Sequence, residues 1–128
     1  MSFIKRPAAM LSSAILFAII AGGASAQQRT VLQTIDYPAD HQILMVIAEL
    51  EPGQCTSRHA HPGFESAYVL EGEAVAQFDN KPDLHLKAGQ PLQFAPNEMH
   101  NVCNHGSVRF KALAHYIVEK GKPLKILP

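Results

Sequence analysis

Short apolar runs alternate with turn-forming clusters along most of this chain, and the runs read at a period of two or as continuous apolar stretches. Gln42 to Leu50 holds Ile43, Leu44, Met45, Val46 and Ile47 in succession and stops at Glu51-Pro52-Gly53, which is the length and ending of a buried strand. Phe64 to Leu70 reads as the next strand, closed by Glu71-Gly72. Glu73 to Phe78 alternates and ends in Asp79-Asn80-Lys81-Pro82-Asp83, a turn by composition. Leu84-His85-Leu86 leads into Lys87-Ala88-Gly89, and Leu92-Gln93-Phe94 into a turn at Pro96-Asn97. From Val108 to Val118 the alternation is long: Val108, Phe110, Ala112, Ala114 and Tyr116 fall on one side, Arg109, Lys111 and His115 on the other. No segment after residue 26 carries a helical period. Many short strands separated by Gly, Pro and Asn predict an all-β sandwich or barrel.

The start of the chain follows a different rule. Lys5 and Arg6 form a short positive region, Ala8 to Ala21 is apolar, and Ala24-Ser25-Ala26 is a small-x-small cleavage signal. Residues 1–26 therefore read as a secretory signal peptide, with export to a periplasm or beyond the cell and a single domain over 27–128. The apolar run is short for a membrane span of about 20 residues, so no membrane association is expected after cleavage.

Composition narrows the partners. The 128 residues carry 11 basic and 11 acidic side chains. Without Lys5 and Arg6 the remaining 102 residues have a net charge near −2, and the basic residues are not clustered, which argues against nucleic acid. That length suits one domain.

The chemistry concentrates in two stretches. In Gly53-Gln54-Cys55-Thr56-Ser57-Arg58-His59-Ala60-His61-Pro62-Gly63-Phe64-Glu65, the two histidines are two apart, so on a strand both imidazoles leave the same face. The Pro62-Gly63 turn can swing Glu65 back to them. The second stretch supplies Pro96-Asn97-Glu98-Met99-His100 and Asn104. Three imidazoles and a carboxylate suit one divalent ion such as iron, manganese, nickel, copper or zinc. His41, His85, His105 and His115 have no partner at ligand spacing and read as surface or turn residues, and Glu98 as a turn carboxylate.

The two stretches resemble the paired motifs of the cupin superfamily. Gly53, His59, His61, Glu65 and Gly72 match the first motif at every spacing. Gly89, His100 and Asn104 match the second, with Ala95 at the motif's proline and Asn97 at its glycine. Asn tolerates the left-handed turn that the glycine would supply. The resemblance spans Ile43 to Val118 and implies a small conical β-barrel (jelly roll) with the metal inside, bound by His59, His61, Glu65 and His100. It further implies a dioxygenase of the quercetinase-like kind acting on a small enol or phenol, with Glu65 as the base. The alternative is a metal-dependent binding or sensing module without turnover. Ser57, Gln93 and Glu98 are the few polar residues expected to face the interior, whereas Ala67 and Val69 make it small and apolar.

Two points stay open at the level of sequence. Tyr68 and Leu70 fall on the face of their strand opposite Ala67 and Val69, and a homodimer is the simplest cover for them. Cys55 lies four positions before His59 and Cys103 three after His100, and an even cysteine count in an oxidising compartment raises the question of a disulfide between them. Strict alternation, however, turns Cys55 inward and Cys103 outward, so the pairing requires a bulge.

Overall fold

The structure is a computed structural model that describes residues 27–128; the signal-peptide assignment to 1–26 lies outside the described residues. Eight strands follow in order: β1 Gln28–Ile35, β2 His41–Leu50, β3 Phe64–Glu71, β4 Glu73–Phe78, β5 Leu84–Lys87, β6 Pro91–Phe94, β7 His100–Cys103 and β8 Phe110–Glu119. They form a five-stranded sheet, β1-β2-β8-β3-β6, facing a three-stranded sheet, β5-β4-β7, with antiparallel pairing throughout. The all-β barrel expected from the alternation is what the chain builds.

Side-chain period decides what lies between the sheets. Val46 and Leu50 of β2, Ala67 and Val69 of β3, Ala74 and Ala76 of β4, and Ala112, Ala114 and Tyr116 of β8 all point inward and are buried. Alanine is the commonest residue in this lining, so facing strands approach without filling the centre. An internal cavity of about 30 Å³ remains, bordered by Glu65, Ala67, Leu92, Phe94, Val102, Phe110 and Ala112. The outer face of the large sheet is apolar as well, with Phe64, Tyr68, Leu70 and Ile117 exposed.

Two backbone positions fix the entry to the site. A Cβ on Gly63 would lie 1.8 Å from the Ile117 carbonyl oxygen, so only glycine lets β3 begin this close to β8. Asn97 occupies the left-handed region (φ 61°), the conformation expected where the second motif has glycine. Its amide donates to the His61 carbonyl at 2.8 Å, which ties the two motifs together.

Three details differ from the sequence reading. β1 was not anticipated: Gln-Arg-Thr-Val-Leu-Gln-Thr-Ile is half polar and sits at the sheet edge, where it pairs only with β2 through a register shift between Val31 and Gln33. The segment Cys55–His61 is extended but is not a regular strand. It touches its neighbours through isolated bridges: Cys55 with Cys103, His59 with His100 and Ala60 with Ile126. Val108 is exposed rather than inward, because β8 begins only at Phe110.

The bridges also account for the cysteines. Four residues separate Cys55 from His59, whereas three separate Cys103 from His100, so one extra residue flips the parity between the two bridges. Cys55 thereby joins Cys103 on the outer face in a disulfide, with Cα atoms 4.0 Å apart. The bond closes a separation of 48 residues. On chain-entropy grounds, Cys55→Ser with Cys103→Ser should lower unfolding free energy by about 4 kcal/mol in urea titrations. A loss below about 1 kcal/mol would show that the bond adds little to what the strands already enforce.

Candidate metal centre

The site is built from two segments, one bringing two imidazoles and the other one. His59 comes from the bridged segment before β3, His61 from its end, and His100 opens β7. Their rings pack with centroids 4.6 Å (His59–His100), 4.8 Å (His59–His61) and 5.4 Å (His61–His100) apart. All three are buried, and one ring nitrogen of each lies within 4.8 Å of the others.

Tautomers follow from the partners. His59 Nδ1 lies 2.6 Å from the Ser57 carbonyl, His61 Nδ1 2.6 Å from that of Leu124, and His100 Nδ1 2.8 Å from that of Glu98. A carbonyl can only accept, so each Nδ1 carries the proton and each neutral ring keeps its lone pair on Nε2. Burial, reinforced by neighbouring Lys125, His100 and His61, pushes the His59 pKa down to about 3 despite the Ser57 carbonyl. Burial also holds His100 below the ordinary histidine range. These rings stay neutral at physiological pH, as metal ligands must.

Glu65 completes the picture. It is the second residue of β3, in register with Tyr116 of β8 and Phe94 of β6, and it is buried. Its Oε2 lies 3.0 Å from His61 Nε2. The approach is nevertheless off the hydrogen-bond direction, and His61 Nε2 has no hydrogen-bond partner although it is buried. A proton on that nitrogen would point past the carboxylate, so it cannot reconcile the two atoms. A cation placed between the nitrogen lone pairs and the carboxylate would. The residues present therefore fit a metal ion, with neutral imidazole nitrogens and one hard oxygen.

The surroundings hold this set in place. Phe94 stacks on His100 at 3.8 Å and 12°, and the Tyr116 ring stands edge-on to His61 at 4.9 Å. Tyr116 is the cross-strand partner of Glu65; burial, then that neighbouring carboxylate, keeps its phenol protonated far above its usual range. Asn104, the last residue of the second motif, is not a ligand. Its Nδ2 donates to the Leu50 and Val108 carbonyls at 3.0 and 2.9 Å, and its Oδ1 accepts from Gly106 N at 2.9 Å, so it locks the turn after β7.

The polar residues expected inside are elsewhere. Ser57 and Gln93 are exposed: Ser57 because the bulge breaks the parity of its segment, Gln93 because β6 turns Leu92 and Phe94 inward. Glu98 contributes its backbone carbonyl to His100 while its side chain pairs with Lys81 at 2.6 Å. Sequence reasoning took Tyr116 for core packing and did not single out Leu124 or Lys125, because their roles depend on contacts between distant parts of the chain.

Buried neutral imidazoles make the metal-free protein acid-sensitive. His59 has a lower pKa folded than unfolded, so the unfolded chain binds more protons between the two values. Its stabilising contribution is complete above about pH 6.5 and falls toward pH 3. In the chelator-stripped protein, denaturation at stepped pH should show stability dropping by about 1.4 kcal/mol per pH unit for each such histidine. A flat profile from pH 7 to 5 would contradict this assignment.

Comparison with known proteins gives the family. The cupin domain family model matches residues 46–116. An oxalate-binding protein of Thermotoga maritima is 37% identical over 71 residues, which covers 55% of this chain and 58% of that protein. The chain thus spans less than two thirds of this relative's length. Among solved structures, a Klebsiella pneumoniae protein of uncharacterised role with a double-stranded β-helix domain is 24% identical with a TM-score of 0.61, covering 79% of this chain and 84% of that one. The DMSP lyase of Ruegeria pomeroyi is 19% identical with a TM-score of 0.67, over 79% of this chain and 51% of that chain; at such identities both likenesses speak to the fold. With its family model matched across both halves of the histidine cluster, the chain belongs to the cupin domain family.

Proposed function

We propose that the barrel holds one divalent metal ion on the Nε2 atoms of His59, His61 and His100 and a carboxylate oxygen of Glu65, and binds a small ligand beside it. The observation that carries this reading is the buried, misaligned 3.0 Å approach of His61 Nε2 and Glu65 Oε2. When bound, the ion supplies Lewis acidity and open coordination positions to an electron-rich or anionic ligand. The protein's own groups supply the rest. Tyr116 packs edge-on against His61, the Phe94 ring braces His100, and the apolar lining excludes water.

Size favours binding of a small molecule over flavonol chemistry. The cavity beside Glu65 and Phe94, about 30 Å³, has room for about two water molecules. A flavonol exceeds that space, and the Thermotoga maritima relative is an oxalate-binding protein. A small-ligand binding module is the reading best supported. A dioxygenase acting on a small enol or phenol is the second, and one observation favours it. Glu65 is buried at the border of the cavity beside His61, where a carboxylate could accept a substrate proton.

Export, read from residues 1–26, would place the Cys55–Cys103 pair in an oxidising compartment. A homodimer is the assembly proposed for the apolar outer face of Phe64, Tyr68, Leu70 and Ile117.

Elemental analysis tests the centre. The purified protein should carry about one ion per chain, and His100→Ala should lose it. No bound metal when iron, manganese, nickel, copper and zinc are each supplied, or content unaffected by His100→Ala, would overturn the reading. For the assembly, light scattering should give a dimer mass that Tyr68→Glu shifts toward the monomer; a monomeric parent protein would reject the dimer.

A further inference from the structure

Two cations near the site have no part in the metal centre. Arg29 stands on β1 in register with Ala48, an inward-facing residue of β2. Its guanidinium carbon lies 5.5 Å over the Tyr116 ring, and Tyr116 connects directly to His61 and Glu65. Arg29 Nε donates to Gln27 Oε1 at 3.1 Å, and Gln27 borders the same cavity as Glu65. Lys125 arrives from the other end of the chain. It sits between Leu124, whose carbonyl holds His61, and Ile126, which is bridged to Ala60.

Lys125 is only partly exposed and lies within electrostatic reach of Arg29, Glu65 and His59. Burial, followed by the Arg29 charge, pushes its ammonium below the ordinary lysine range, although Glu65 opposes this. Among the described residues, neither cation forms an ion pair with a carboxylate. The lysines and arginines that do form ion pairs lie on the outer surface, where solvent screens them. Two like charges held together at the edge of an apolar cavity are electrostatically incomplete. They raise a positive potential where a ligand would enter.

The geometry points to Arg29 and Lys125 as a recognition pair that selects a small carboxylate anion at the barrel mouth, beside the histidine cluster. The inference rests on the barrel being a small-ligand site and adds the ligand's charge and the residues that read it. The planar guanidinium fork matches a carboxylate through two parallel hydrogen bonds, and the ammonium adds a point charge. A neutral phenol or amide of equal size would leave both unpaired and be rejected on that account. Both cations lie outside residues 46–116, the span matched by the cupin domain model. The shared domain supplies the metal ligands, and the two flanking segments supply the choice of anion.

Calorimetric titration tests this with oxalate and malonate as probes and oxamide as a neutral mimic of oxalate, on metal-loaded and chelator-stripped protein. The parent protein should bind at least one anion, ignore oxamide, and bind less tightly as salt increases. Arg29→Gln and Lys125→Gln should each weaken anion binding about tenfold to a hundredfold, with metal content unchanged, and Arg29→Lys should recover part of the loss. Binding of neither anion, equal binding of oxamide, or affinity unchanged in the Gln variants would overturn the proposal. The oxamide and salt arms use the parent protein and hold even if a variant misfolds. Loss of metal in none of these variants, with anion affinity indifferent to Arg29 and Lys125, defeats this inference alone. A parent protein that binds no metal but still shows charge-dependent anion binding defeats the metal centre alone.

Discussion

The commitment of three histidine Nδ1 protons to three backbone carbonyls is the constraint on which the rest of the site depends. Ser57, Leu124 and Glu98 each fix a ring, and each lies in a different part of the chain. Once those protons are spoken for, the three remaining lone pairs have nowhere to turn but the interior, where burial keeps the His59 and His100 rings uncharged. The arrangement is costly without a cation, because lone pairs and a carboxylate are gathered out of water. Its rigidity comes from elsewhere: the His59–His100 and Ala60–Ile126 bridges, the Asn97 contact with His61 and the Cys55–Cys103 bond all brace the same segments. The scaffold thus maintains the polar cluster ready for an ion rather than being assembled by one.

Leu124 shows how far that constraint reaches. Its carbonyl stands 63 residues from His61 in sequence, so the last segment must fold back across the barrel before the His61 tautomer is defined. The same return brings Lys125 within electrostatic reach of Arg29, which β1 contributes from the start of the domain. Structural bracing and the charge at the entrance are therefore products of one topological fact: both ends of the domain close over the site.

Much of this was legible in the sequence, and the limits are physical. A continuous apolar run revealed β2, and a period of two revealed β4 and the inward face of β8, because each has a face in the core. β1 escaped notice because an edge strand with water on most of its surface has no need for an apolar face. The spacing of His59, His61, Glu65 and His100 carried the cluster without the structure, since local geometry nearly determines it. Parity was the weak point. A single extra residue between Cys55 and His59 reverses which side chains face inward, so the cysteines meet on the outside and Ser57 leaves the interior. Alternation cannot reveal a bulge from one strand, because the bulge exists only in relation to the partner. Arg29, Tyr116 and Lys125 were hidden for a related reason: their contacts are non-local.

Charge gives these pieces a common sense. Three neutral imidazoles and one carboxylate would leave a divalent ion with one net positive charge, and Arg29 and Lys125 add two more nearby in a region lined mainly by alanine, valine, leucine and phenylalanine. Such an excess is poorly tolerated where few dipoles and little water can screen it. A neutral aromatic ligand would occupy space without relieving it, whereas a compact carboxylate at the entrance relieves it. Charge rather than volume therefore connects the entrance with the metal centre: one anion placed between them would offset the field of the ion and of both flanking cations.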